Sequence, residues 1–177
     1  ADSSTISLAA EHLQTEKLLQ ESGIPFTLLR NGWYTENYAG SIPGAVAAGA
    51  LLGSAGTGKI SSASRADFAE AAAVVLTSEG HEGKVYELAG DESFTLADLA
   101  SEISKQTGKD ISYQNLPEKE YSKTLKSHGL PEMIADGIAS WDVSASKGDL
   151  FSEDKTLSQL IGHPTTPMSE SVKSVLA

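Results

Sequence analysis

The chain has 177 residues, with 13 Lys and Arg against 24 Asp and Glu, for a formal net charge of -11. That length suits one domain with a proper core, and the acidic balance argues against nucleic acid or an anionic membrane as the main partner, since both are held by clustered basic side chains. The sequence contains no Cys, which excludes disulfides, thiolate catalysis and Cys-ligated metal, and no apolar run is long enough to span a bilayer. A cytoplasmic protein without membrane insertion is expected. The opening Ala1-Asp2-Ser3-Ser4 has neither the basic nor the apolar region of a signal peptide and lacks Met, which suggests a partial chain.

Leu8 to Ser22 reads as a helix, with Leu8, His12, Thr15 and Leu19 on one face and Gly23 as the stop. The apolar run Ile24 to Arg30 has the character of a buried parallel strand. A polar, aromatic turn (NGWYTENY) then leads into an Ala-rich stretch through Leu52. Gly53 to Gly58 (GSAGTG) is a loop before a short strand, Lys59 to Ser62. Ser64 with Asp67 forms a capping-box pattern that opens a helix over Arg65 to Ser78, and Lys84 to Leu88 is a further strand. Thr95 with Asp98 repeats the pattern before an amphipathic helix closed at Gly108, and Asp110 to Gln114 alternates as a strand does. Beyond Pro117 the chain reads helical, over Pro117 to Lys126, Pro131 to Ser140, Asp154 to Ile161 and Ser169 to Leu176. The order predicts part of an α/β sheet followed by a mostly helical tail.

Little in this pattern speaks for metal. The histidines His12, His81, His128 and His163 are scattered, and His12 with Glu16 is the only ligand-type pair at helical spacing. Two ligands do not make a site, so no metal is expected. GSAGTG precedes a strand and is followed by Lys-Ile, whereas a phosphate-binding glycine turn must open a helix; it reads as a tight connection. The informative stretch is Arg30 to Tyr38, directly after the candidate buried strand. Ligands of open α/β sheets bind beyond the carboxyl ends of strands, and two Asn side chains, three aromatics and a Gly suit a planar heteroaromatic ligand. The alternative is a loop whose aromatics only cap the sheet.

The run HLQTEKLLQESGIPFTLLRNGWYTENY from His12 to Tyr38 resembles the NmrA-like atypical short-chain dehydrogenases, and the likeness continues through GKISSASRADFA, GHEGKVYELAG, YQNL and DKTLSQLIGHPTT. The resemblance implies the second half of a Rossmann-like NAD(P)-binding fold over residues 1-90 and a mostly helical substrate lobe over 91-177. It implies NADP(H) as cofactor and reduction of a quinone by hydride transfer. Asn31, Gly32, Trp33 and Tyr34 would then lie against the nicotinamide-ribose end, with Asn37 orienting the quinone or the nicotinamide. His12 would lie near the ribose, or else pack on its helix face. Arg65 would contact a cofactor phosphate, or else pair with a neighbouring carboxylate.

Two departures stand out. The family's first strand, its glycine turn and the following helix are not in the sequence, so the chain by itself is expected to bind NADPH weakly and to be inactive. The Tyr-x-x-x-Lys pair of typical short-chain dehydrogenases falls on Leu8 and His12. A quinone takes its protons readily from water, so a dedicated Tyr acid is less needed than for a ketone. The same departure fits the rival expectation, an NAD(P)-binding redox sensor of the NmrA type without catalysis.

Overall fold

A computed structural model describes residues 4-177. Two parallel strand pairs lie at its centre. β1 (Leu28–Asn31) pairs with β3 (Val85–Leu88), Leu28 standing opposite Val85 and Asn31 opposite Leu88. β2 (Ala50–Gly53) pairs with β4 (Ser112–Asn115) in the same sense. Parallel strands need crossovers, and helices supply them. α3 (Arg65–Thr77) lies between β1 and β3 in the chain, and α4 (Leu96–Thr107) between β2 and β4.

Helix starts follow the local chemistry closely. Thr95 and Asp98 complete a full capping box at α4, each side chain bonding the other's backbone N–H. At α3 only half of the expected box forms: Ser64 accepts from Asp67 N–H, while the Asp67 carboxylate turns away to Thr166 N–H and Oγ1, at 2.8 and 2.9 Å. The Ala-rich stretch resolves into a 3₁₀ turn (Thr35–Ser41), α2 (Ile42–Ala48) and β2. Gly49, at φ +72°, closes α2 in the left-handed conformation that lets the chain pass directly from helix to strand. β2 follows too closely on α2 for its four residues to stand out in the sequence.

The expected strand at Lys59 to Ser62 is extended but pairs with no single neighbour. Ile60 exchanges backbone hydrogen bonds with Phe94, Ser61 N–H donates to Leu150, and Ala63 exchanges bonds with Trp33 and Thr35. The segment is a seam between elements rather than a member of either pair. Gly90 lies against it so closely that a Cβ would stand 2.0 Å from Ser62 O.

Two apolar clusters form the core. One joins α2, β2 and α4 with Ile60, Ala145 and Val172. The other joins Ala63, Phe68, Ala71 and Leu88 with Leu157 and Ile161. Each cluster draws on residues from both sides of position 90. α7 (Thr156–Ile161) packs on α3 and β3, and α8 (Met168–Leu176) on α4 and the 3₁₀ turn. Between them α5 (Glu118–Ser127) and α6 (Glu132–Ser146) form a hairpin packed chiefly on itself.

The first helix, α1 (Ala9–Glu21), departs from expectation. None of its residues is buried among the described ones, and Leu8, Leu18 and Leu19 are exposed. The face carrying His12 therefore packs on nothing described, and His12 itself is exposed. What anchors α1 is polar: Arg30 of β1 grips Glu16 through two hydrogen bonds of 2.8 and 2.6 Å and reaches Glu87 of β3 at 2.6 Å. No described helix is long and apolar enough to cross a membrane.

Adding a methyl at the seam tests this packing. Gly90→Ala should cost about 1–3 kcal/mol by overpacking, since the obstructing atom is backbone and cannot rotate aside. At about 2–4 °C per kcal/mol for a chain of this size, a thermal melt should show the loss directly.

Candidate active site

The segment after β1 is shaped by alternation. Gly32 continues the strand's pairing, its N–H donating to Leu88 O at 2.8 Å, and a Cβ there would lie 2.7 Å from the same oxygen. Trp33 and Tyr34 follow in extended backbone, so their rings point to opposite sides. Trp33 joins the α4 cluster and Tyr34 the α3 cluster. The structure thus divides the residues singled out in the sequence into two groups.

On the outer side Tyr34, Glu36, Asn37 and Arg65 meet. The Arg65 guanidinium lies over the Tyr34 ring, 4.0 Å from its centroid, and Phe68 meets the same ring at a steep angle. Arg65 Nη2 donates to Asn37 Oδ1 at 3.4 Å, while its backbone N–H donates to Glu36 Oε1 at 2.9 Å. Glu36 and the Ser64 cap thereby occupy the start of α3. Asn37 is exposed, and with its carbonyl turned to Arg65 its amide NH₂ is the end left for a ligand. Asn31, at the carboxyl end of β1, is also exposed. His12 makes no contact with this group.

The inner side is aromatic and holds a buried acid. Trp33 meets Trp141 of α6 edge-on, with ring centroids 5.7 Å apart, and Tyr38 meets Phe94 at 6.0 Å. Below them Asp142 accepts Ser54 N–H at 2.7 Å, and its carboxyl lies where a Cβ on Gly53 would need to be. Burial pushes the Asp142 carboxyl up to about 6, only partly opposed by the Ser54 N–H. Burial and the charge of Asp142 push the Tyr113 phenol up to about 12, and the same two causes raise Tyr38 and Tyr121. The Trp33 indole faces the Tyr38 oxygen without reaching bonding geometry, so both Trp33 Nε1 and Tyr38 OH are buried without a partner.

Trp141 and Asp142 were not singled out in the sequence, yet a signal was there. Asp142 continues the buried stripe of Ala135 and Ala139 at helical spacing, and a carboxylate on such a face is out of place unless it has a task. The GSAGTG loop is an internal connection: a Cβ on Gly58 would stand 2.3 Å from Ala145 O. No group of three or more metal-ligating side chains occurs among the described residues.

No family model matches the chain. It is 59% identical to quinone oxidoreductase 2 of Escherichia coli (strain K12) over 172 residues, which is 97% of this chain and 60% of that protein. A solved structure of the NADPH-dependent quinone oxidoreductase of E. coli, complexed with NADPH, superposes with a TM-score of 0.96 at 57% identity, over 99% of this chain and 62% of that one. An NmrA-like family domain-containing oxidoreductase of Aspergillus flavus is 27% identical over 98% of this chain and 57% of its own length. Over nearly its whole length the chain is similar to the NmrA-like atypical short-chain dehydrogenases. It spans about 60% of the length of these relatives. Within this NmrA-like chain the Rossmann-like α/β architecture is that of the relatives, and Asn31, Gly32 and Asn37 stand at the carboxyl end of the β1–β3 pair, where α/β folds take their ligands.

Asp142 gives the site a pH signature. Its carboxyl holds a proton up to about 6 in the native state against 3.8 ordinarily, so the native state binds more protons than the unfolded state between those values. Stability from this group is therefore full below pH 4 and falls as pH rises through the window, by about 3 kcal/mol in all at 1.36 kcal/mol per unit. Asp142→Asn keeps an acceptor for Ser54 N–H and should remove this fall, which urea unfolding at pH values from 4 to 8 will measure.

Proposed function

We propose that the protein carrying this chain transfers a hydride from NADPH to a quinone. The observation that carries the reading is the exposed Asn37 amide, oriented by Arg65 beyond the carboxyl end of β1. The names of the E. coli relatives support it. NADPH supplies the hydride when bound, and the residues of this chain suit its nicotinamide end, not its pyrophosphate. Asn31 offers an amide to the nicotinamide-ribose region, and Gly32 permits close backbone approach. The face of Tyr34 is already covered by Arg65, so Tyr34 would support Arg65 rather than stack on the nicotinamide. Glu36 already takes the first N–H of α3, so Arg65 would meet the cofactor through its guanidinium alone. His12, exposed beside Glu16, is left the ribose region as its place. A cytoplasmic setting, where NADPH is plentiful, suits this chemistry.

Asn37 does the positioning. Its NH₂ donates to a carbonyl oxygen of the acceptor, which fixes the ring relative to the hydride donor. Protons then come from water, since the reduced quinone needs no Tyr acid. Hydride transfer demands near contact and alignment, so loss of Asn37 costs rate more than affinity.

Steady-state oxidation of NADPH with menadione by the protein carrying this chain tests the reading. Cofactor binding without turnover would replace it with the sensor. Asn37→Ala should lower kcat by about ten- to a hundredfold, which is about 1.4–2.7 kcal/mol of barrier, with the NADPH KM and melting temperature nearly unchanged. Unchanged turnover would remove Asn37 from the site.

A further inference from the structure

The hairpin of α5 and α6 holds a cleft of about 450 Å³ that shares no residue with the Asn37–Arg65 group. A volume of that size takes an organic molecule rather than a bare ion. Its buried members, Ser122 of α5 and Ala139 of α6, make the floor, and charged side chains stand around it. The acid on the α6 side is already taken. Asp136 accepts the Ser122 hydroxyl at 2.5 Å and Lys126 Nζ at 2.9 Å, and Lys126 also reaches Glu132 at 3.1 Å. Lys119 and Lys123 differ from Lys126. Both line the cleft, both are exposed, and neither side chain has a hydrogen-bond or ion-pair partner among the described residues. They stand four residues apart on α5 and so share a face, where like charges repel. Glu118 lines the cleft too but bonds neither lysine; its charge suits the positive end of the helix that it opens.

We propose that this cleft binds a small organic anion, with Lys119 and Lys123 on its phosphate or carboxylate and Ser122 on a neighbouring hydroxyl. Two ammonium groups one turn apart can donate to two oxygens of one anionic group, in charge-assisted hydrogen bonds. The anion at the same time relieves the repulsion between them. The one proton of Ser122 is committed to Asp136, so its oxygen is left as an acceptor. A ligand hydroxyl meets that acceptor, and a ligand carbonyl does not. The apolar part of the ligand lies over Ala139 and along the lysine stems. With a net charge of -11 the chain as a whole repels anions, so the attraction is confined to the cleft. Binding should therefore weaken as salt screens the two lysines.

The inference is independent of the quinone reading, which the menadione assay tests alone. Calorimetric titration of the full chain with glycerol 3-phosphate, glycerate and inorganic phosphate, at one ionic strength set with sodium chloride, tests the cleft. Glycerol 3-phosphate or glycerate should bind saturably and more tightly than inorganic phosphate, which carries no neighbouring alcohol. Whichever binds better identifies phosphate or carboxylate as the anion. Lys119→Gln combined with Lys123→Gln should weaken that binding about tenfold, the scale of one charge-assisted contact. Its melting temperature should match the parent's, since both side chains are exposed. Lys84→Gln, which removes an exposed lysine outside the cleft, should bind as the parent does. Absence of saturable binding for all three probes overturns the site, and so does a double variant that keeps the parent's affinity. Equal weakening by Lys84→Gln also overturns it, because the effect is then one of net charge. Inorganic phosphate binding as tightly as the organic anions would overturn the part given to Ser122 and Ala139.

Discussion

The extended backbone from Lys59 to Ala63 holds the two parallel strand pairs in one body. Ile60 bonds to Phe94 ahead of α4, Ser61 to Leu150 after α6, and Ala63 to the Trp33–Thr35 loop after β1. A regular strand would satisfy its polar groups on one or two neighbours; here Ile60, Ser61 and Ala63 each bond a different part of the chain. Such an arrangement satisfies buried backbone groups at the junction only if the flanking chains approach without side chains between them. Gly32 and Gly90 permit that approach on either side of Leu88. Movement of the seam would shift α4, the segment after α6 and the ligand-side loop together.

The loop after β1 owes its division to this seam. Because Trp33 and Thr35 are both bonded to Ala63, the residues between Gly32 and Thr35 stay extended and alternate. Trp33 goes to one core cluster and Tyr34 to the other, and the 3₁₀ turn then brings Asn37 back beside Arg65. The chain thereby sends neighbouring residues of one short segment to opposite sides, Trp33 to an aromatic contact with Trp141 and Asn37 to Arg65.

What could be read from the sequence depended on whether a signal was local. Capping residues, strong helix formers and helix-ending glycines marked α1, α3, α4 and most of the tail helices within a few residues, because caps and propensity act over one turn, whereas α6 runs six residues past its expected end at Ser140. β2 was hidden, because four residues straight after α2 leave no room for alternation to show. The strand expected at Lys59 to Ser62 failed for the opposite reason: the local pattern is extended, and whether that becomes a strand is decided by partners far along the chain. At the site, Asn37 was visible from its type and its place after a strand and Arg65 only through the family resemblance, but the stacking of Arg65 on Tyr34 was not. Burial of the His12 face was expected from periodicity alone, which states which residues share a face and not what covers it. Asp142 lay in the helical tail, and only its long-range bond to Ser54 gives it meaning.

Two aspartates show how donor number decides the charge state of one residue type. Asp91 is largely covered, and burial alone would raise its carboxyl; it is instead held below the usual range by Thr165 N–H and Oγ1, the Ser158 hydroxyl and nearby Lys155. Those groups also pin the segment leading into α8, so the carboxylate's ionisation and the tail's position support one another. Asp142 has Ser54 N–H alone and three phenols nearby whose own protons are held more tightly because of it. Its charged form is therefore poorly solvated, and its carboxyl rises. Asp142 also joins α6 to the turn after β2, and α6 carries Trp141, which meets Trp33 edge-on. A poorly compensated acid thus ties α6 to the turn after β2. A fully bonded aspartate at that position would tie α6 down more firmly, and a hydrophobic residue would remove the tie to Ser54. The Ser54 bond is thus one tie between α6 and the turn after β2, beside the packing of Ala145 in the α4 cluster.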